Sequence, residues 1–254
     1  MRRPSLIAAA VLLWASMVSA QDAQDRQAHD EALQRSFLLS QGAHFTVLFE
    51  GPKDYDLASR ALEVLEQAYF RIGTALYTFP EQPITVILYT QEQFRDVTRA
   101  PGWAAGAYDG RIRIPIRGAL QEPDELERVL SHELAHAMIQ TIAPHGVPLW
   151  LNEGLAVMFE PRGREWADLE LARYERRLPF ARLTHSFGTF SGDDARLAYA
   201  QSAVMARTLF DESGGATVVA ILKDLAAGES LETAYEQRLF LPYSTFTGAF
   251  DPGR

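Results

Sequence analysis

The chain has 254 residues, of which 47% are hydrophobic and 22% charged, a composition typical of a globular protein with a buried core. Its net charge of −9 at pH 7 disfavours binding to the phosphate backbone of nucleic acids. It contains no cysteine, so disulfides and lipid-modified cysteines are excluded.

The first 20 residues predict a secretory signal peptide. Arg2 and Arg3 precede an apolar run over residues 6–18, and Val-Ser-Ala marks the expected cleavage site after Ala20. The run is shorter than the roughly 20 apolar residues that span a bilayer, so we expect no stable membrane anchor after cleavage. The mature chain would be exported, periplasmic or secreted, and would begin with a polar leader over residues 21–43.

Residues 44–254 predict one α+β domain that begins with a mixed sheet. Strands are expected at 44–50, 84–90 and 111–116, because these stretches alternate or are rich in β-branched residues. Pro115 should confine the third strand to a sheet edge, since proline cannot donate to the ladder. The glycine-containing segment before this strand, residues 100–110, is predicted to be a loop.

Helices are predicted between and after these strands. An apolar stripe from Leu57 to Leu76 indicates a long helix, and Thr90 should cap a short one. Pro123 should open the helix of the motif described next, and Pro161 should end the helix that follows it. We therefore expect an α/β lobe over residues 44–145, which includes the motif helix, and a helical lobe over 146–254.

The motif is "HELAH". His132 and His136 lie four residues apart in a predicted helix, so both rings can face one ion. The pattern arises by chance in about one chain of this kind in a hundred, so a third ligand must support it. Glu153 can supply that ligand from the next helix, which leaves an open position on a catalytic zinc. Glu133 lies beside the ion and suits a general base that acts on a water activated by the metal.

"HELAH" followed by "WLNEG" resembles the gluzincin zinc metallopeptidases, and "LWLNEG" is similar to their aminopeptidase N-like group. Residues 44–250 resemble the smaller peptidase MA-like domains, whose tyrosine-glutamine-serine segment is similar to "YAQSAVMARTLFDESGG". The resemblance implies a zincin-like fold with the active-site helix between its two parts, and a peptide or protein substrate. It also implies Zn²⁺ held by His132, His136 and Glu153, with Glu133 as the base.

The sequence departs from these relatives at two places. Aminopeptidases hold the substrate amine with a G-x-M-E-N segment, whereas the corresponding stretch here is "GAYDGRIRIPI". Some zincins orient a histidine ligand with an acid four residues after the ligand glutamate, where this chain has Val157. The sequence alone therefore does not assign the group that orients the histidine rings.

Several other residues are candidates near the metal. Tyr199, which opens the tyrosine-glutamine-serine segment, is the candidate donor to the oxyanion, and the alternative is a core tyrosine. Tyr108 and His185, in predicted loops, are further candidates for this role. By resemblance, the strand at 111–116 would pair with an extended substrate. Arg111 and Arg113 would then favour acidic substrates, unless they lie on a solvated strand face.

The most direct functional hypothesis is an exported zinc-dependent endopeptidase, in which zinc activates a water and Glu133 acts as general base. One alternative is a catalytically silent, zinc-containing binding or assembly factor of the cell envelope. The other alternative is an aminopeptidase, which would require a free substrate N-terminus.

Overall fold

The computed structural model describes residues 20–100, 104–116, 123–184, 186–190 and 192–251. It shows the α+β architecture expected from the sequence, with a small mixed sheet and three α-helices in the first part of the chain and helices alone after the last strand. The strands are β1 (Leu38–Gln41), β2 (Phe45–Phe49), β3 (Ile84–Tyr89), β4 (Ala107–Tyr108) and β5 (Ile112–Pro115). The first helices are α1 (Ala20–Gln34), α2 (Tyr55–Ala75), α3 (Gln91–Thr98) and the motif helix α4 (Pro123–Ile142). The later helices are α5 (Leu149–Phe159), α6 (Gly163–Ala172), α7 (Phe180–Leu183), α8 (Gly192–Ser213), α9 (Gly215–Ala226), α10 (Leu231–Leu239) and α11 (Tyr243–Gly248).

The described strands form one sheet in the order β1-β2-β3-β5-β4. The three inner strands are parallel, and the short strands at the two edges run antiparallel to their neighbours. In β2, Phe45, Val47 and Phe49 are buried and alternate with half-buried residues, as expected for a strand with one face on a core. This alternation fixes the register, because a slip by one residue would turn the three apolar side chains to the other face.

The strand predicted at 111–116 forms as β5, but it is not an edge strand. It lies between β3 and β4, which corrects the position inferred from Pro115. The edge strand β4 has only two residues, and they face Ile112 and Arg113. Pro115 lies beyond the end of β4, so its missing N–H removes no bond from that ladder. A proline at the end of an inner strand is therefore tolerated here.

Residues 21–43, predicted to be a polar leader, form α1 and β1. Strand β1 pairs antiparallel with β2, and Leu33 and Phe37 pack against the apolar cluster around Ile87, Tyr89 and Phe94. The sequence did not predict this helix, because its main contact with the sheet is polar, from Asp30 to Arg113. The predicted signal peptide lies outside the described residues, apart from Ala20, at which α1 begins.

The two helices beside the strands form as predicted. In α2 the apolar stripe is buried from Leu57 to Ile72, with Leu62 half-buried. The N-terminus of α3 is a capping box, in which the Thr90 side chain accepts from the Gln93 backbone and the Gln93 side chain accepts from the Thr90 backbone. The sequence signals that predicted these helices are therefore satisfied locally.

The chain groups into two compact units whose boundary falls inside α4, between Glu133 and Leu134. The first unit contains the sheet, and the second contains Ala68–Pro80 and the helices from α5 onwards. Helix α4 thus contributes to both units, whereas the predicted lobes were divided at 145/146. Within the second unit, α8 packs along α5 and α6. No helix among the described residues is long and apolar enough to cross a bilayer.

Candidate metal centre

The motif helix α4 is buried around its whole circumference where it carries the histidines. It begins at Pro123, as predicted, and carries Asp124 and Glu125 in its first turn, where acids are favoured. From Val129 to Ile139 every side chain is buried, including His132, Glu133 and His136. The middle of α4 thus places two imidazoles and a carboxylate in the protein interior.

Glu153 reaches the same place from α5. One ligand atom from each of His132, His136 and Glu153 lies within 4.8 Å of the others, and the distance from His136 Nε2 to Glu153 Oε2 is 3.8 Å. Ligands placed tetrahedrally at zinc distances of 2.0–2.2 Å are about 3.3–3.6 Å apart, so small side-chain movements would fit the three donors to one ion. The donor set, two imidazoles and one carboxylate, suits zinc.

Burial makes a cation at this centre favourable. The three candidate ligands and Glu133 are between 0 and 2% exposed. Buried carboxylates are normally paired or bound to metal, because transfer of an isolated ionised carboxylate from water to a protein interior costs several kcal/mol or more. Two acids and two histidines that are buried together therefore form an electronegative site that a divalent cation would neutralise.

Asn152 orients one of the two rings. Its Oδ1 lies 3.1 Å from His136 Nδ1, so the ring with its proton on Nδ1 donates to Asn152 and leaves Nε2 facing Glu153. The sequence left this partner unassigned, because the position that carries an acid in some zincins is Val157, which is buried. The sequence signal that could have identified this partner is the position of Asn152, directly before Glu153 in the same helix.

Helix α5 is held against α8 by a close backbone contact. A Cβ atom on Gly154 would lie only 2.2 Å from the backbone oxygen of Ser202, so only glycine permits this approach. Farther along, the rings of Phe159 and Phe210 meet edge to face with centroids 6.0 Å apart. The backbone next to Glu153 is therefore fixed by its neighbour helix.

Trp150, Leu151 and Leu155 are buried and attach α5 to the core. The indole of Trp150 contacts Phe180 and Phe246, with centroids 6.0 and 6.1 Å away. These contacts and the glycine contact leave α5 little freedom to rotate.

Gly106 forms one wall beside Glu133. It directly precedes the edge strand β4, and a Cβ atom at this position would lie 2.6 Å from Glu133 Oε1 and 2.9 Å from its Cγ. The Glu133 side chain therefore occupies the space that any larger residue at 106 would require. This contact brings the candidate base next to the edge of the sheet.

Residues 65–240, more than two thirds of the chain, match the family model of the Peptidase MA superfamily. The chain belongs to this superfamily. Its fold is similar to that of native leukotriene A4 hydrolase from Saccharomyces cerevisiae, with a TM-score of 0.52 and 15% sequence identity. The alignment covers 86% of this chain and 40% of that enzyme, so the chain spans less than half of the enzyme's length. No curated protein sequence matches the chain significantly.

Membership of the Peptidase MA superfamily supports a zinc metallopeptidase-type function for this chain. The cluster of His132, His136 and Glu153 is the candidate zinc site among the described residues.

In this Peptidase MA chain, the tyrosine-glutamine-serine segment has a clear structural part. Gln201 Nε2 donates to the backbone oxygens of Leu178 and Phe250, and Gln201 Oε1 accepts from the Leu178 N–H. Tyr199, on α8, is 2% exposed and meets Phe187 edge to face, with centroids 5.2 Å apart. The role of Tyr199 as oxyanion donor stays a prediction, and its packing is that of a core tyrosine.

The other residues singled out from the sequence have different surroundings. Tyr108 lies on β4 and is half-buried, and burial, with a smaller effect of Asp109, raises the pKa of its hydroxyl. His185 lies outside the described residues. Arg113 is only 6% exposed and forms ion pairs with Asp30 and Asp109, which corrects the expectation that it would face an acidic substrate.

Proposed function

We propose that the chain is an exported zinc-dependent endopeptidase. The observation that carries this proposal is that His132, His136 and Glu153 are buried with one ligand atom of each within 4.8 Å of the others. Glu133 directly follows His132 on α4 and is also buried. A silent binding factor would need no buried carboxylate beside the metal ligands, because a structural zinc site is closed by its own ligands.

His132, His136 and Glu153 would hold the ion. A zinc ion held there would supply a Lewis acid for the scissile carbonyl and would activate a water molecule. Asn152 keeps the His136 ring in the tautomer that ligates through Nε2. Gly154 and Trp150 hold the helix that presents Glu153.

Glu133 would act as the general base and then as the general acid. Its carboxylate takes a proton from the water that attacks the scissile carbonyl, and it gives that proton to the amine that leaves. The contact with Gly106 limits the positions that this carboxylate can occupy. Because Glu133 is buried, its interaction with a developing charge is less screened than at a surface.

The substrate would be an extended peptide segment. Strand β4 pairs only with β5 among the described strands, so its outer edge can accept a further strand by backbone hydrogen bonds. Gly106, next to this edge, contacts the Glu133 side chain, so a chain aligned on β4 would lie beside the proposed base. The burial of the site favours a single flexible chain over the surface of a folded protein.

Asp109 favours internal cleavage over removal of N-terminal residues. It is the one acid in the stretch "GAYDGRIRIPI", and both of its carboxylate oxygens accept from Arg113 Nε at 3.0 Å. A carboxylate neutralised by a guanidinium is a poor anchor for a substrate ammonium group. This pairing supports an endopeptidase instead of an aminopeptidase.

Export rests on the N-terminal pattern alone. The charged start, the apolar run and the small residues before the expected cleavage after Ala20 support a secretory signal, and the acidic charge supports protein or peptide partners over nucleic acids. N-terminal sequencing of the chain recovered from a periplasmic or culture fraction tests this, since a retained Met1 would contradict it.

The decisive experiment for the activity is Glu133→Gln, measured with casein and a library of peptides with free and blocked N-termini. Zinc content should equal that of the parent while turnover falls by about 10³-fold, because the base is lost and the ligands are kept. Glu127→Gln, the same change on the same helix outside the motif, is the control and should keep both zinc and turnover.

Each alternative predicts a different result in these assays. If the parent, loaded with zinc, cleaves no peptide, the silent binding factor replaces the endopeptidase. If only peptides with free N-termini are cleaved, the aminopeptidase is correct. Equal turnover by the parent and by Glu133→Gln would refute the assigned base.

A further inference from the structure

Helix α1 carries one buried acid on an otherwise mostly exposed surface. Asp30 is 3% exposed, and its Oδ1 accepts from Tyr89 and, at 2.6 Å, from Gln34 Nε2. Burial would raise the pKa of Asp30, but the hydrogen bonds and the charge of Arg113 lower it overall, so the group is ionised at neutral pH. An ionised acid buried in this way requires a fixed cationic partner.

Arg113 is that partner, and it joins α1 to the hairpin of β4 and β5. Its Nη1 donates to Asp30 Oδ2 at 2.8 Å and to the Tyr89 hydroxyl at 2.7 Å. Its Nε donates to both carboxylate oxygens of Asp109, in the turn between the two strands. One planar guanidinium therefore ties the hairpin turn, the inner strand β3 and α1 together.

The same hairpin continues to the candidate base. In the ladder of β4 and β5, Arg113 is paired with Ala107, the residue after Gly106. Gly106 in turn lies against the Glu133 carboxyl group, where it leaves no room for a Cβ atom. A displacement of Arg113 along its strand therefore moves the backbone that limits the position of Glu133.

We propose that Asp30 is a positioning residue for Glu133, which acts through Arg113 and the backbone at Gly106. Helix α1 is then part of the active site's support, although it lies far from the motif in sequence. The inference rests on the proposed function, because it assigns Glu133 the role of base.

The physical reason is the imbalance that loss of the Asp30 charge would create. Among the described residues, only Asp109, which is exposed, would then pair a carboxylate with the buried guanidinium. A buried charge whose pairing is weakened moves toward water or rearranges its neighbours. The fold itself should persist, because Leu33 and Phe37 also attach this segment to the core.

The test compares Asp30→Asn with Glu66→Gln in the zinc-loaded, full-length protein. Glu66 is a matched control, because it is an acid of the same unit that pairs with His44 at 2.6 Å and accepts from the backbone at Ala43, outside the hairpin. For Asp30→Asn we expect kcat to fall about tenfold, with KM and zinc content nearly unchanged, because a misplaced base acts on the transition state. Glu66→Gln should keep kcat within about twofold.

Amide hydrogen exchange gives a second readout that does not depend on activity. Residues 104–109 should exchange about tenfold faster in Asp30→Asn, and should be unchanged in Glu66→Gln. If Asp30→Asn does not fold, Tyr89→Phe, which removes one hydroxyl of the same cluster, should show smaller changes in the same direction.

The outcomes separate this proposal from the function on which it rests. If the parent cleaves peptides and Asp30→Asn has the same kcat, Asp30 is a structural residue only and the proposal is overturned. If the parent cleaves nothing, the endopeptidase assignment fails, and unchanged exchange at 104–109 would also overturn the coupling. A fall in kcat of equal size in both variants would assign the effect to general loss of stability.

Discussion

Gly106→Ala is the sharpest test of the geometry around the base. The added Cβ would lie 2.6 Å from Glu133 Oε1, whereas contacts of this kind are comfortable only beyond about 3.3 Å, so one of the two groups must move by about 0.7 Å. Displacement of a catalytic group by about 1 Å can reduce the rate about 100-fold, and we expect kcat to fall about 10- to 100-fold. Overpacking should lower the free energy of unfolding by about 1–3 kcal/mol.

The assay is steady-state cleavage of one peptide, with zinc content and urea unfolding measured on the same preparations. Gly51→Ala is the matched control, because Gly51 is extended, with φ of −166°, and a Cβ atom added to it would have no neighbour within 4 Å. If Gly106→Ala is folded and loaded with zinc and turns over as fast as the parent, the carboxylate of Glu133 does not need the position that the structure gives it. The role assigned to this residue would then be wrong.

Two further variants test the supports of the site and of the fold. Asn152→Ala should weaken zinc binding about 10- to 100-fold in competition with a chelating dye, whereas Asn152→Asp, which keeps an acceptor for His136 Nδ1, should retain most of the affinity. For Glu170, burial would raise the pKa, but the hydrogen bonds and charge of Arg196, with the charge of Arg173, lower it overall. Its contribution to stability is therefore complete above its ordinary pKa of 4.5 and is lost as the pH falls below that value, so urea unfolding of Glu170→Gln should depend less on pH in that range.

The sequence predicted the motif helix and the helix of the third ligand, because both depend on local signals. Pro123 and the acids after it mark the start of α4, and the spacing of His132 and His136 follows directly from helix geometry. Glu153 was found through the motif around it, and the structure brings it to the two histidines. Their action as zinc ligands stays a prediction.

The errors arose where tertiary contacts override local preference. Pro115 would require an edge strand only if the neighbouring strand were long enough to reach it. The length of that neighbour, β4, cannot be predicted from the residues of β5. Residues 21–43 are polar, so they predicted a leader, but Asp30 finds its partner Arg113 more than 80 positions later in the chain. Pairing at such a distance leaves no periodic signal in a single sequence.

Two residues in contact with the candidate site were also missed for this reason. Asn152 and Gly106 are ordinary residues by type, and only the folded chain shows what they contact. Asn152 meets a ring nitrogen of His136, and Gly106 meets the carboxylate of Glu133. Because Val157 stands where some zincins carry an orienting acid, the sequence indicates that another group orients the rings. It does not identify that group.

The main-chain approach of Gly154 to Ser202 has a thermodynamic consequence. Since that approach does not depend on side-chain rotamers, we expect the segment that carries Glu153 to be ordered before a cation binds. We therefore expect α5 to keep the same backbone whether or not an ion is bound. Binding of an ion would then stabilise the folded protein by mass action, without the formation of new structure in α5.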